Sequence, residues 1–182
     1  MSPSEGVTAG HRRLALGGAA AVGVLAGLGW AWWRDSAPAP GMVEPTPGFW
    51  SLQWEAPGGG MVQAASFRGK PLLINFWATW CTPCIEELPL INAFYRENKS
   101  NGWQVLALAI DKPAAVRSFL ATMPLEFSIG MAGLTGTDLV KVLGNPGGGL
   151  PFSVVLASDG SVAQRKLGRL ASSDLQAWRG LK

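Results

Sequence analysis

The chain has 182 residues, 48% of them hydrophobic, and a formal charge of +3. From residue 36 onward twelve Lys and Arg stand against ten Asp and Glu, without basic clusters, which argues against a nucleic-acid partner. His11 is the only histidine, and Cys81 and Cys84 are the only cysteines. The body of the chain can therefore hold neither a Cys–His dyad nor a four-ligand zinc site, and no cofactor or metal is expected.

Residues 1–35 read as a cytoplasmic N-terminus followed by a membrane anchor. His11-Arg12-Arg13 precedes an uncharged stretch over 14–33, closed by Arg34-Asp35. Twenty helical residues at 1.5 Å each span about 30 Å, the thickness of a hydrocarbon core. Trp30, Trp32 and Trp33 lie where an interfacial aromatic belt belongs, and the paired arginines keep the N-terminus cytoplasmic. This predicts a single-pass protein of the inner membrane whose C-terminal domain faces the periplasm or other extracytoplasmic space. A cleaved signal peptide, with Ala37-Pro38-Ala39 as a poor cleavage site, is the competing reading. Residues 36–48 form a linker in which Pro38, Pro40, Pro45 and Pro47 favour extended, unpaired chain.

From residue 49 the pattern is that of one α/β domain over 49–182, the size of an ordinary domain with its own core. The alternation over 49–54 predicts a strand, Gly58-Gly59-Gly60 a turn, and 61–65 the returning arm of an N-terminal β-hairpin. Trp50 and Trp54 then cover an edge of the core. Leu72–Trp77 is apolar except for Asn75, as in a central strand buried on both faces. Cys84, Leu88, Ile91 and Tyr95 recur at helical spacing, in a helix that Pro89 should kink. Further strands are expected over 103–110 and 125–129, and helices over 113–121 and 137–143. A hairpin over 152–157 and 161–167 turns at Asp159-Gly160, and Ser172 or Ser173 caps a last helix with Leu175 and Trp178 facing inward.

The chemistry sits at Trp77-Ala78-Thr79-Trp80-Cys81-Thr82-Pro83-Cys84, between a strand and a helix. A C-x-x-C pair closes a small disulfide ring that can open and close without rearranging the fold. The thiolate is the reactive species, and a cysteine at a helix N-terminus is stabilised as thiolate by unpaired N–H groups and the helix dipole. Cys81 is thus the expected exposed nucleophile, and Cys84, one turn inside, the resolving cysteine. Glu87 lies three residues after Cys84 on the same helix face, and Glu86 has the dipole rationale without that geometry. A partly buried carboxylate there has its pKa raised by desolvation, towards a proton acceptor useful near neutral pH. A solvated glutamate early in a helix is the plainer alternative.

The run from Gly69 to Pro89, GKPLLINFWATWCTPCIEELP, resembles the TlpA/ResA-like branch of the thioredoxin superfamily. The resemblance implies a thioredoxin-like fold, a mixed central sheet flanked by helices. It implies a membrane-anchored thiol–disulfide oxidoreductase whose redox disulfide joins Cys81 and Cys84. The implied clients are apocytochrome c or copper-site cysteines, and the implied electron donor is a membrane protein of the DsbD/CcdA kind. It also places a functional glutamate at Glu87 and a cis-proline at Pro151, opposite the cysteines, with the Leu150 backbone turned towards a bound peptide. Trp80 is expected to shield the disulfide or contact substrate, and Trp77 to be core. Asn75 departs from cytosolic thioredoxins, which carry a proton-shuttling Asp there. Gly147-Gly148-Gly149 and Phe152-Ser153 depart from the commoner sequence around the proline. Thr82-Pro83 lacks the histidine of strongly oxidising relatives, which favours a reductant. A disulfide-introducing oxidase and a non-catalytic binding module stay open as alternatives. A peroxiredoxin-type peroxidase does not, because Ala78 stands where its threonine is required.

Overall fold

The computed structural model describes residues 44–181, so the expected anchor over 14–33 and most of the linker lie outside the described residues. Among the described residues no helix is long and apolar enough to cross a membrane. The strands are β1 (Gln53–Glu55), β2 (Met61–Gln63), β3 (Leu72–Trp77), β4 (Gln104–Ala109), β5 (Ser128–Met131), β6 (Phe152–Leu156) and β7 (Val162–Leu167). The helices are α1 (Thr82–Asn98), α2 (Pro113–Thr122), α3 (Gly136–Val142) and α4 (Ser172–Trp178). The strands form one mixed sheet in the order β2-β1-β5-β4-β3-β6-β7. β3, β4 and β5 run parallel; β6 and β7 continue the sheet antiparallel on one side, β1 and β2 on the other.

β3 is buried along its whole length, and its period-two alternation divides the core. Leu72, Ile74 and Phe76 join Phe49, Trp50, Trp54, Val140 and Phe152 in one layer. Leu73 and Trp77 join Cys84, Leu88, Ile91, Val116, Leu175 and Trp178 in the other. Asn75 therefore points to the α1 side. The register pairs Asn75 with Ser153 on β6, which sets that hydroxyl on the same face.

Three elements differ from their sequence expectation. Residues Phe49–Ser51 form a 3-10 turn, and strand begins only at Gln53. Phe49 and Trp50 are both buried, which an alternating strand with one wet face does not allow, and Gly48 at φ 75° turns the chain into them. The strand expected over 125–129 forms over Ser128–Met131, where it pairs with β4. The last helix is capped at Ala171, one residue early, because the Asp174 carboxylate accepts the Ala171 N–H at 2.7 Å. α1 runs uninterrupted through Pro89.

Candidate active site

The end of β3 delivers Cys81 to the N-terminus of α1. Cys81 is the N-cap residue, its carbonyl accepting the N–H groups of Cys84 at 3.0 Å and Ile85 at 3.1 Å. Cys81 and Cys84 are joined by a disulfide with Cα atoms 5.3 Å apart. Cys81, expected to be exposed, is nearly buried at 6% because its side chain packs into the core beside α1, but Cys84 is at 0%, so outside reagents still meet Cys81 first. Reduction would leave the Cys81 sulfur at the positive end of a seventeen-residue helix.

The segment leading into Cys81 is held by Asp111, just past the end of β4. Its Oδ2 accepts both the Thr79 N–H at 2.8 Å and the Thr79 hydroxyl at 2.5 Å, while Oδ1 accepts the Lys112 N–H at 2.7 Å. Burial pushes the Asp111 carboxyl up, but the bonds from Thr79 and Lys112 outweigh it and hold the group below its ordinary value.

Glu87 is 1% exposed, one turn below Cys84. Its Oε1 accepts from Asn75 Nδ2 at 2.7 Å and its Oε2 from the Leu170 N–H at 2.6 Å. Gly168, at φ 89°, turns the chain out of β7 so that Arg169 and Leu170 reach α1. Arg169 there pairs with the exposed Glu86 at 2.6 Å. Burial raises the Glu87 pKa, against the opposing pull of the Leu170 and Asn75 hydrogen bonds and the charges of Arg169 and Lys166. A carboxyl so placed takes up a proton more readily than an exposed one and can return it.

Leu150–Pro151 is a cis peptide bond, and Pro151 is buried at the start of β6. Trp80, 67% exposed, and Leu150 line a largely apolar groove of about 750 Å³, with Ile110, Lys112, Pro113 and Leu134 completing its walls. The structure thus brings Cys81, Cys84 and Trp80 together at one end of the sheet, with Leu150 across the groove and Glu87 beneath. Trp77 lies in the core against Phe119, ring centroids 5.3 Å apart. Sequence reasoning missed Asp111, Ser153 and the Leu170 N–H. Asp111 carried a usable signal, since it directly follows the strand expected over 103–110, where site residues of α/β sheets gather. The other two depend on strand register and on where a loop lands.

The redoxin family profile matches residues 46–177. The chain belongs to the redoxin family. Thiol-disulfide oxidoreductase ResA of Bacillus thuringiensis subsp. konkukian is 31% identical over 121 residues, covering 66% of this redoxin and 68% of that protein. A thioredoxin-related protein from Neisseria meningitidis serogroup B is 30% identical, with a TM-score of 0.54 over 60% of this chain and 82% of its own. A thiol:disulfide interchange protein of the thioredoxin family from Chlorobium tepidum shares the fold at 24% identity, with a TM-score of 0.63 over 79% of this redoxin and all of that chain.

Proposed function

We propose that this redoxin is an extracytoplasmic thiol–disulfide oxidoreductase that reduces disulfides in client proteins. The observation that carries the reading is the pairing of Cys81, the more accessible cysteine at a helix N-cap, with a fully buried Cys84 above a dry carboxyl, Glu87. In the reduced protein the Cys81 thiolate attacks a client disulfide, forming a mixed disulfide and expelling one client thiolate, which takes a proton from water. Cys84 gives its proton to Glu87, and its thiolate attacks the Cys81 sulfur. The second client sulfur leaves, two electrons have passed to the client, and the Cys81–Cys84 disulfide of the structure is restored. Trp80 and Leu150 grip the client chain along the groove, and among the described residues nothing bonds the Leu150 N–H or C=O, which leaves them for strand-like pairing with it.

The apolar stretch over 14–33 behind Arg12 and Arg13 supports a tether in the inner membrane with this domain on the periplasmic side. Thiols there tend to be oxidised. A reductant needs recharging across the membrane, which a DsbD/CcdA-type donor supplies. Cysteines of apocytochrome c or of copper sites are the clients that fit such a role.

The test is the reduction potential of the Cys81–Cys84 couple, measured by equilibration with a dithiol buffer. A reductant lies below about −200 mV, and a value near about −120 mV, that of a strong oxidant, overturns the reading in favour of disulfide introduction.

A further inference from the structure

Beneath the cysteines three uncharged or chargeable groups meet in a dry layer. Asn75 Nδ2 donates to Glu87 Oε1 at 2.7 Å and to Ser153 Oγ at 3.0 Å. Asn75 and Ser153 are fully buried, and Asn75 Oδ1 is buried without a hydrogen-bond partner. A buried amide oxygen left bare requires a reason, because it forgoes the hydration it had in the unfolded chain.

The arrangement suits one protonation state of Glu87 only. A carboxylate accepts and does not donate, and both of its oxygens here meet N–H donors, from Asn75 and from Leu170. Once Glu87 holds a proton it carries an O–H, and neither neighbour as now placed offers an acceptor. A half-turn of the Asn75 amide cures this without changing its volume. Oδ1 takes the place of Nδ2, where it accepts from the Glu87 O–H and from the Ser153 hydroxyl, which can rotate to donate. Nδ2 then becomes the bare atom. One buried polar atom is unpartnered in either state, Oδ1 before the turn and Nδ2 after it.

We infer that Asn75 is a positioning residue whose amide turns over each time Glu87 gains or loses its proton, with the Ser153 hydroxyl rotating to match. The inference rests on Glu87 being the proton acceptor of the exchange reaction. It explains what an amide offers at this position: both states of the acid find a partner without water entering the core. The other charged or titratable groups around Glu87 are Glu86 on its own helix, Arg169 after β7 and Lys166 on β7, while Cys81 and Cys84, joined in the disulfide, do not titrate. Arg169 is paired with Glu86 and Lys166 with Asp174, and β3 and β6 present Glu87 with the neutral Asn75 and Ser153.

The test is a pH titration of the full oxidised chain by NMR, following the Glu87 side-chain carboxyl carbon and the two Asn75 amide protons. Both amide protons should move upfield on acidification, with the midpoint of Glu87, because the turned amide withdraws both of its donated bonds. In Glu87→Gln neither should move. Ser153→Thr, which keeps the hydroxyl, should retain both movements, whereas Ser153→Ala should leave only the Glu87-facing proton responsive. Asn75→Leu should raise the Glu87 midpoint by roughly half to one pH unit, since the charged form loses the stronger bond. The inference is overturned if only the Glu87-facing proton moves in the unaltered chain. It is equally overturned if neither moves across the Glu87 midpoint, or if Glu87 keeps its charge between about pH 4 and 9. The wild-type titration decides the matter even if a variant does not fold. It involves no turnover, so a protein that reduces no client would overturn the proposed function and leave this result standing.

Discussion

Glu87 and Asp111 are carboxylates that flank the same C-x-x-C segment, and their surroundings divide them. Asp111 holds Thr79 by two bonds and stays charged; Glu87 is buried and pushed towards its neutral form. Their variants should therefore fail differently. Asp111→Ala leaves Thr79 N–H without its acceptor and should lower stability by about 1 kcal/mol in urea unfolding, with Asp111→Asn recovering part of the loss. Glu87→Gln should slow client reduction by about 10²-fold in stopped-flow assays and flatten the pH dependence of the step that releases the mixed disulfide. Cys84→Ser should accumulate that mixed disulfide through Cys81, visible as a reducible higher-mass band with any disulfide-bearing client. Cys81→Ser should form none, since Cys84 is sealed from solvent.

Among the elements, β5 shows how closely the sheet and its antiparallel edge are fitted. A methyl group added at Gly130 would lie 2.8 Å from Trp54 Cβ and 3.0 Å from Leu108 Cδ2. Gly130→Ala should cost about 1–3 kcal/mol in chemical denaturation and speed amide exchange in β1 and β2, which dock through that contact. Buried strands and amphipathic helices were legible in the chain itself, because the apolar run of β3 and the helical spacing of Cys84, Leu88 and Ile91 report burial directly. The pair of cysteines and the glutamate one turn below them were legible for the same reason, since helical periodicity places them on one face. Phe49 and Trp50 misled because consecutive aromatic residues, both buried, belong to a 3-10 turn that alternation cannot describe. Ser153 and Leu170 were illegible because they reach their partners in the site across 78 and 83 residues of chain, through a strand register and a loop ending that local patterns do not encode.

Over the whole molecule, burial of Glu87 couples stability to pH with a definite sign. Its folded pKa lies above the ordinary 4.5, so the stability it contributes is fully present below that value and is lost as pH rises through the raised one. Thermal unfolding of the oxidised protein across that window should show a decline that Glu87→Gln lacks. The hydrogen bond from Leu170 to Glu87 joins the segment after β7 to the helix that starts at the cysteines. Residues 168–171 follow every other part of the site in the order of synthesis. A chain emerging N-terminus first therefore presents its cysteine pair before the wall that dries Glu87 exists. The dry surroundings of Glu87 are therefore completed only once Leu170 has been made and its N–H has reached the carboxylate, long after both cysteines are in place.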